Sequence, residues 1–464
     1  EPKALLHLVR MLVSRERRRR SESSSAGHGS IALIPSGPVP LDAITAKAPE
    51  GAVLVDRNRL AERFGSEAFA DLPGDHALAP VVRRWIEDLE ASTDTLYLLG
   101  DGRGGGRDGL CRELADRTVA IQAAEDLSAQ TPVARERIVV TARSVAAAAV
   151  SSPGRRVASE ADGGAGPIHY YVYDGGSSAR AWRVLSSTAH GVVLSGGGAR
   201  GFAHIGVLRL LEELGQPVDT IGGTSIGALL GALYALHGDA SALTEIAASL
   251  SRNRRILDYT LPLASLFRSK KLGTLLQELY GSTRIEELPL PFFAVSTDLT
   301  RSRVVVHYEG ELTDVVRRSI SIPGIFYPVV RDGRLFVDGG IMNNLPTDVM
   351  SDRPGIGSIT ASDVSKVDSN RRRAYAGYQA DDARGIAVLI RRLRYARRPH
   401  VHVPELGDII LRTFEVNSAA RFRAHSDRVS RAFRLDLSGF NPLDFGNYRA
   451  IIDEGYRQAS EQLG

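Results

Sequence analysis

Ser225 is the residue whose type and neighbours are best suited to chemistry, and it lies in the pentapeptide Gly-Thr-Ser-Ile-Gly at 223–227. A strand that turns sharply into a helix exposes the residue at the turn, and small neighbours such as Gly223 and Gly227 relieve the strained backbone there. Unpaired amides and the positive end of the helix dipole would favour negative charge developing on the serine hydroxyl. The motif predicts a nucleophile. An ordinary strand-to-helix turn would read the same in a chain with 46 glycines, so further support is needed.

A glycine-rich segment precedes that serine. It follows an apolar strand-like run and opens a helix-period pattern, so its backbone amides would face an anion, either a phosphate or the oxyanion of an acyl-transfer reaction. The residues expected to form this oxyanion hole are Gly196, Gly197, Gly198, Arg200 and Gly201.

The same segment also fits the Gly-x-Gly-x-x-Gly pattern of a dinucleotide-binding turn. That pattern needs an acidic residue at the end of a second strand, roughly 20 positions further on, to bind a ribose. Asp219 lies at about that distance but precedes its short strand, and the serine turn occupies the other end. We therefore favour the oxyanion hole over the dinucleotide site.

A candidate base follows a predicted hairpin. Apolar runs flank Asp332-Gly333, which is a strong signal for a tight hairpin turn, and the second run ends at Asp338-Gly339-Gly340. Two glycines after a carboxylate indicate a close turn that directs the side chain. A surface Asp-Gly turn fits this segment equally well when it is considered alone.

Together, the segments at 196–201, 223–227 and 338–340 resemble the patatin-like phospholipase family in identity and order. Residues 321–326 (Ser-Ile-Pro-Gly-Ile-Phe) resemble the family's segment between the nucleophile and the aspartate. The resemblance implies a three-layer α/β/α catalytic domain with a Ser225–Asp338 dyad. Residues 30–35, 111–117 and the tail around 443–445 look like the bacterial relatives of neuropathy target esterase. Alternating strand and helix patterns predict a smaller Rossmann-like α/β domain before the catalytic one.

In those relatives the catalytic domain follows cyclic-nucleotide-binding domains, and the implied activity is hydrolysis of phospholipids or lysophospholipids. The implied mechanism has Asp338 accepting the proton of Ser225 as the hydroxyl attacks an ester, which burial of the carboxylate would favour by raising its pKa. Two alternatives stay open: a non-catalytic nucleotide- or lipid-binding module, and a Ser-His-Asp esterase that uses His400, His402 or His425. His204 fits a packed histidine better than a catalytic one.

The chain of 464 residues is 43% hydrophobic with a net charge of +4, which suits a globular protein of two or three domains. Its single cysteine, Cys111, excludes an intramolecular disulfide, and we expect it to be buried without a chemical role. The longest apolar helix pattern, at 226–236, is far below the roughly 20 residues that cross a bilayer. We expect a cytoplasmic enzyme without metal or other cofactor.

Arginines cluster at 17–20, 371–373 and 386–398. The last segment alternates apolar residues and cations as an interfacial helix does, which predicts peripheral contact with the inner membrane face, although a solvated helix face fits it too. Aromatic residues are not interleaved with the arginines, so we expect no nucleic-acid partner.

Four parts are expected along the chain. Residues 1–29 would be a helix and linker from an upstream domain, because the chain starts with Glu1 rather than Met. Residues 30–185 would form an α/β spacer or regulatory domain with a largely parallel sheet, in which the glycine loop at 101–107 lacks the lysine of a phosphate-binding motif. Residues 186–355 would be catalytic, and 356–464 an extension packed on them. Strands of the N-terminal part are predicted at 31–34, 52–55, 96–99, 119–121, 138–140 and 170–173.

Overall fold

A computed structural model describes residues 29–36, 48–49, 51–65, 79–93, 95–103, 105–123, 136–140, 168–172, 175–252, 269–364 and 426–463. The expected helix and linker before residue 29, the loop at 161–167, His400, His402, His425 and the arginine clusters at 17–20, 371–373 and 386–398 lie outside these ranges.

Among the described residues, the first sheet has six strands in the order β2-β3-β1-β4-β5-β6, and every pairing between them is parallel. Each strand predicted from the N-terminal sequence is present. The strands are β1 (Gly29–Ser36), β2 (Val53–Val55), β3 (Thr95–Leu99), β4 (Arg117–Ala123), β5 (Glu136–Val140) and β6 (Ile168–Val172). The helices are α1 (Arg57–Phe64), α2 (Ala79–Ser92), α3 (Gly106–Leu114) and α4 (Gly175–Leu185).

Both faces of the first sheet are covered. Successive residues of β1 point to opposite faces, so that Ile31 and Leu33 pack in one apolar cluster with Trp182, while Ala32 and Ile34 pack in another. The second cluster also holds Cys111, which is buried as expected, and burial raises the pKa of its thiol to about 12. The parallel order and two covered faces confirm an α/β architecture.

The second sheet has eight strands in the part of the chain that the structure describes. Its order is β11-β12-β9-β8-β7-β13-β14, with β10 paired to β9. The strands are β7 (Ala189–Leu194), β8 (Thr220–Thr224), β9 (Phe292–Asp298), β10 (Arg303–His307), β11 (Val329–Arg331), β12 (Arg334–Asp338), β13 (Ile356–Asp363) and β14 (Arg431–Arg434). Strands β14, β13, β7, β8 and β9 run parallel, whereas β10 and β12 are antiparallel to β9 and β11 is antiparallel to β12.

Helices cover this sheet on two sides and make it the middle layer. One face packs in a large apolar cluster with α6, which is buried over Ile226–Ala235 because its sequence is apolar all round. The other face packs with Met350 of α10 in a smaller cluster. The helices are α5 (Ala203–Glu213), α6 (Ile226–His237), α7 (Ala240–Arg252), α8 (Ser269–Tyr280), α9 (Leu312–Ser319), α10 (Thr347–Ser351) and α11 (Tyr448–Glu461).

Two features of this sheet can be compared with the sequence predictions. The predicted hairpin is confirmed: β11 and β12 pair around Asp332 and Gly333, whose φ values of 49° and 69° match a tight type I′ turn. Residues 356–464, which are predicted from the sequence to be an extension, contribute two strands to the sheet itself, because β13 pairs with both β7 and β14. No helix within the described ranges is long and apolar enough to cross a membrane.

Candidate active site

Ser225 occupies a strained turn between β8 and α6. Its φ of 58° and ψ of −125° lie outside the usual regions for a residue with a side chain. The flanking glycines are needed because β7 passes close by: a Cβ on Gly223 would lie 2.6 Å from the carbonyl oxygen of Leu194, and one on Gly227 would collide with that same oxygen. The elbow predicted from the sequence is therefore present, and close backbone packing accounts for both glycines.

Asp338 lies within hydrogen-bonding distance of this serine, although 113 residues separate the two. The Ser225 hydroxyl donates to Asp338 Oδ2 at 2.6 Å, and the two residues are 6% and 0% exposed. Strand β9 brings them together, because Thr224 pairs with Val295 on one side of that strand and Asp338 pairs with Ser296 on the other.

The carboxyl group of Asp338 is held in a dry, sparsely bonded environment. The Gly340 amide donates to its Oδ1 at 2.7 Å, and Ser225 is the donor to its other oxygen. Burial raises the pKa of Asp338 to about 7, against the smaller lowering effect of these two hydrogen bonds. A carboxylate with such a pKa can accept a proton from a hydroxyl near neutral pH, which an ordinary aspartate does poorly.

The glycine-rich loop after β7 runs beside Ser225, since a Cβ on Gly196 would lie 3.0 Å from the Ser225 Cβ. Asn344 holds the loop: its carbonyl accepts from the Gly196 amide at 3.2 Å, and its Nδ2 donates to the Gly196 carbonyl at 3.3 Å. Within the described part of the chain, the amides of Gly197 and Gly198 have no acceptor. Two unpaired amides beside a serine can stabilise an oxyanion.

Arg200 and Gly201 support this loop from its far side. The Arg200 Nε donates to the Phe440 carbonyl at 2.9 Å, and the neighbouring Ala199 amide donates to the Pro442 carbonyl at 2.7 Å. A Cβ on Gly201 would collide with Ile226, the first residue of α6. The structure thus shows Arg200 as an anchor of the loop, while its expected contact with the oxyanion stays a prediction.

The buried histidines near this sheet have structural partners. His204 is fully buried, with Nε2 donating to the Ser195 carbonyl at 2.9 Å and Nδ1 accepting from the Ser362 hydroxyl at 2.7 Å. Burial lowers the pKa of His204 to about 4, so that the ring is neutral at physiological pH. The packed role expected for His204 agrees with these contacts.

Asp219, the acid considered for a dinucleotide ribose, lies at the wrong end of β8 for that role. Its carboxylate is fully buried, pairs with Arg183 at 2.6 Å and accepts from the His190 amide at 2.9 Å. In the described residues, no group of three or more His, Cys, Asp or Glu side chains is placed to hold a metal ion.

Two supporting contacts have no sequence signature. Ser319 accepts a hydrogen bond from the Ser225 amide, and the segment containing Phe440 and Pro442 supports the glycine loop. Both join residues far apart in the chain, without a local motif at either end. Only the hydroxyl type of Ser319, just before the Ser-Ile-Pro-Gly segment, offers any hint of its role.

Comparison with known proteins agrees with this geometry. A family model described as patatin-like phospholipase matches residues 192–351. Patatin-like phospholipase domain-containing protein 6 of Mus musculus is 35% identical over 291 residues, covering 61% of this chain and 21% of that protein. Lysophospholipase NTE1 of Mycosarcoma maydis is 36% identical over 298 residues, covering 61% of this chain and 15% of that protein.

A bacterial relative is similar over a larger share of its own length. An uncharacterized NTE family protein of Mycobacterium bovis is 33% identical over 305 residues, covering 64% of this chain and 50% of that protein. Among solved structures, VipD from Legionella pneumophila is 15% identical with a TM-score of 0.32, covering 59% of this chain and 66% of that chain. That structural similarity is too low to support an inference.

The fold is α/β, and at the site a serine in a strained strand-to-helix turn is hydrogen-bonded to a buried aspartate. Residues 192–351 match the patatin-like phospholipase family, and the chain is similar to NTE family proteins. The chain spans about half the length of the mycobacterial relative and about a fifth of the mouse protein.

Proposed function

We propose that this chain is a serine lipid acyl hydrolase that cleaves carboxylic esters of phospholipids or lysophospholipids. The observation that carries the proposal is the 2.6 Å hydrogen bond between the Ser225 hydroxyl and the buried carboxyl of Asp338, whose pKa is raised to about 7. The domain match supports the reaction class, and the fungal relative is named a lysophospholipase.

The proposed reaction has two halves. In the first, Ser225 Oγ attacks the ester carbonyl carbon as its proton passes to Asp338 Oδ2, and the Gly197 and Gly198 amides stabilise the oxyanion. Asp338 then returns the proton to the leaving alcohol oxygen as the ester bond breaks, which leaves an acyl group on Ser225. In the second, Asp338 takes a proton from water, water oxygen attacks the acyl carbon, and the proton returns to Ser225 as the fatty acid departs.

The proposal extends to the surroundings of the enzyme. Phospholipid substrates reside in membranes, and the basic segment at 386–398 suits peripheral contact with an anionic inner membrane face. The chain covers only part of the length of the mouse and mycobacterial relatives, which is consistent with the upstream cyclic-nucleotide-binding domain that the family resemblance implies. We propose both as features of the intact protein in the cytoplasm.

A fluorophosphonate probe tests the nucleophile and the base together. Wild-type protein should be labelled and should release fatty acid from lysophosphatidylcholine, whereas Ser225→Ala, Asp338→Ala and the isosteric Asp338→Asn should do neither. Ser30→Ala is the matched control, because Ser30 is 1% exposed and lies in the first sheet. Each variant is checked for folding by circular dichroism.

Three results would contradict the proposal in different ways. A folded wild-type protein that binds lipid without being labelled would indicate the non-catalytic module. Labelling of Ser225→Ala would place the nucleophile elsewhere. Normal labelling of Asp338→Ala, together with its loss in a His400, His402 or His425 variant, would indicate the histidine-dependent esterase.

A further inference from the structure

We propose that Ser319, at the end of α9, is a positioning residue that fixes the Ser225 nucleophile in its strained turn and in line with Asp338. The inference rests on the proposed function and adds a third side chain to the reaction. Ser319 does not touch the reacting atoms, and it acts through the backbone of Ser225.

The hydroxyl of Ser319 joins the nucleophile to the strand that carries its partner. It accepts from the Ser225 amide at 2.9 Å and donates to the Val295 carbonyl at 2.6 Å. Val295 belongs to β9, and the next residue, Ser296, pairs with Asp338. Ser319 is fully buried, so water cannot replace either hydrogen bond.

Contacts of the neighbouring residues extend this link to Asp338. The Asp338 amide donates to the Ser321 carbonyl at 2.9 Å, so that a three-residue segment forms hydrogen bonds with the backbones of both dyad residues. Helix α9 also contacts β12, because Arg318 lies 4.8 Å from the centre of the Phe336 ring, while its ion pair with Asp314 at 2.6 Å stabilises the helix itself. The segment therefore holds serine and aspartate against one rigid support.

This contact also decides which amides can bind the oxyanion. The Ser225 amide already donates to Ser319 and is therefore not free for the oxyanion, whereas the Gly197 and Gly198 amides have no acceptor among the described residues. A serine with φ of 58° needs its surroundings to hold it, because an L-residue leaves this conformation when the restraint is lost. Loss of the Ser319 hydroxyl should thus let the nucleophile drift from its short hydrogen bond with Asp338.

The alternative is that Ser319 only stabilises the core. The two roles differ in what they change: a structural role lowers the amount of folded protein, whereas a positioning role lowers the rate constant of each folded molecule. The rate constant of fluorophosphonate labelling, measured separately from its final amplitude, distinguishes them. Small displacements of reacting groups can cost about 100-fold in rate.

The experiment compares Ser319→Ala and Ser319→Thr with wild type, using Ser30→Ala as the control for loss of a buried hydroxyl. We expect Ser319→Ala to label about 10-fold to 100-fold more slowly, with a lower kcat and an unchanged KM for lysophosphatidylcholine. Ser319→Thr keeps the hydroxyl and should recover most of the rate constant. Ser30→Ala should label at the wild-type rate constant, whatever its melting temperature.

A wild-type rate constant in folded Ser319→Ala overturns the inference, as does a folded Ser319→Thr that is as slow as the alanine variant. If Ser319→Ala does not fold, Ser319→Cys replaces it: the thiol is a weak donor and acceptor, so its rate constant should fall below that of Ser319→Thr, and equal values overturn the inference. Absence of labelling in the wild type would instead refute the proposed function.

Discussion

Glycine-rich loops follow β3 in the first sheet and β7 in the second, and in both cases the loop leads into a helix. In the first, the amides of Asp101 and Gly102 donate to the Oδ1 of Asp108 at 2.8 Å and 3.2 Å. Asp108 is 1% exposed and comes from the first turn of α3. In the second, the amides of Gly197 and Gly198 have no acceptor among the described residues.

The difference shows how one carboxylate decides whether such a loop can bind a ligand. Both loops connect a strand to the N-terminus of a helix, so both present backbone amides that are suited to binding an anion. In the first loop the chain provides its own anion in Asp108, and the loop is closed to others. The second loop is anchored by main-chain carbonyls of Asn344 and Pro442 instead, and its Gly197 and Gly198 amides stay without an acceptor among the described residues.

The largest expected effect comes from adding one methyl group to each loop. Gly198 has φ of 59° and Gly102 has φ of 71°, and in each a Cβ would collide with a proline carbonyl, of Pro442 and Pro35 respectively. Gly198→Ala should lower kcat by roughly 100-fold to 1,000-fold, because it displaces an oxyanion donor. Gly102→Ala should lower the melting temperature and leave kcat of the folded protein unchanged. Equal effects on kcat would remove the distinction between the loops.

The second prediction concerns pH, since Asp338 must be ionised to accept a proton. Its pKa of about 7 predicts that kcat/KM falls about tenfold per pH unit below that value and levels off above it. The pH profile of hydrolysis of a soluble ester, whose own ionisation is constant, gives the midpoint. A midpoint near 4, the value of an exposed aspartate, would mean that burial does not tune this carboxyl.

The same pKa predicts a smaller effect on stability. Burial raises the pKa of Asp338 from 3.8 to about 7 in the folded state, so the folded protein binds this proton more tightly than the unfolded chain. The stabilising contribution is complete below about pH 4 and is lost as pH rises through 7. The Asp338→Asn variant lacks this titrating group. Its free energy of unfolding relative to that of wild type, measured by urea unfolding, should therefore be higher at pH 8 than at pH 5. An equal difference at both pH values would contradict this.

The smallest expected effect on activity belongs to Asp108. Asp108→Ala leaves the half-buried Asp101 and Gly102 amides without their acceptor and should cost about 1 kcal/mol in the free energy of unfolding. The kcat of the folded protein should stay at the wild-type value. Urea unfolding and ester hydrolysis on the same sample test both points, and a loss of kcat would mean that the first loop takes part in the reaction.

Much of the fold was predictable because it depends on local patterns. Runs of β-branched and apolar residues indicated each strand of the first sheet, and Asp332-Gly333 indicated the hairpin before Asp338. The placement of β13 between β7 and β14 was not predictable in this way, because strand order depends on pairing partners that are distant in sequence. That strand accordingly appeared to belong to an extension.

The candidate site likewise contains features that local motifs predict and contacts that they do not. Ser225, the glycine loop and Asp338 lie in short motifs whose residue types have local reasons, and the sequence indicated all three. Ser319 bonds to a residue 94 positions away, and Arg200 bonds to one 240 positions away. Neither contact has a local reason in the sequence. The role of Asp108 was missed for a related cause, since a helical aspartate is ordinarily solvated.

The support of the glycine loop by Phe440 and Pro442 has a consequence for biosynthesis. A ribosome makes the serine, the aspartate and the matched domain at 192–351 well before it reaches these residues. Until then, the Ala199 amide and the Arg200 guanidinium lack the carbonyls that fix the loop. A nascent chain would thus carry Ser225 and Asp338 before the glycine loop is fixed, and the loop would reach its final arrangement only after residues 440–442 have been made.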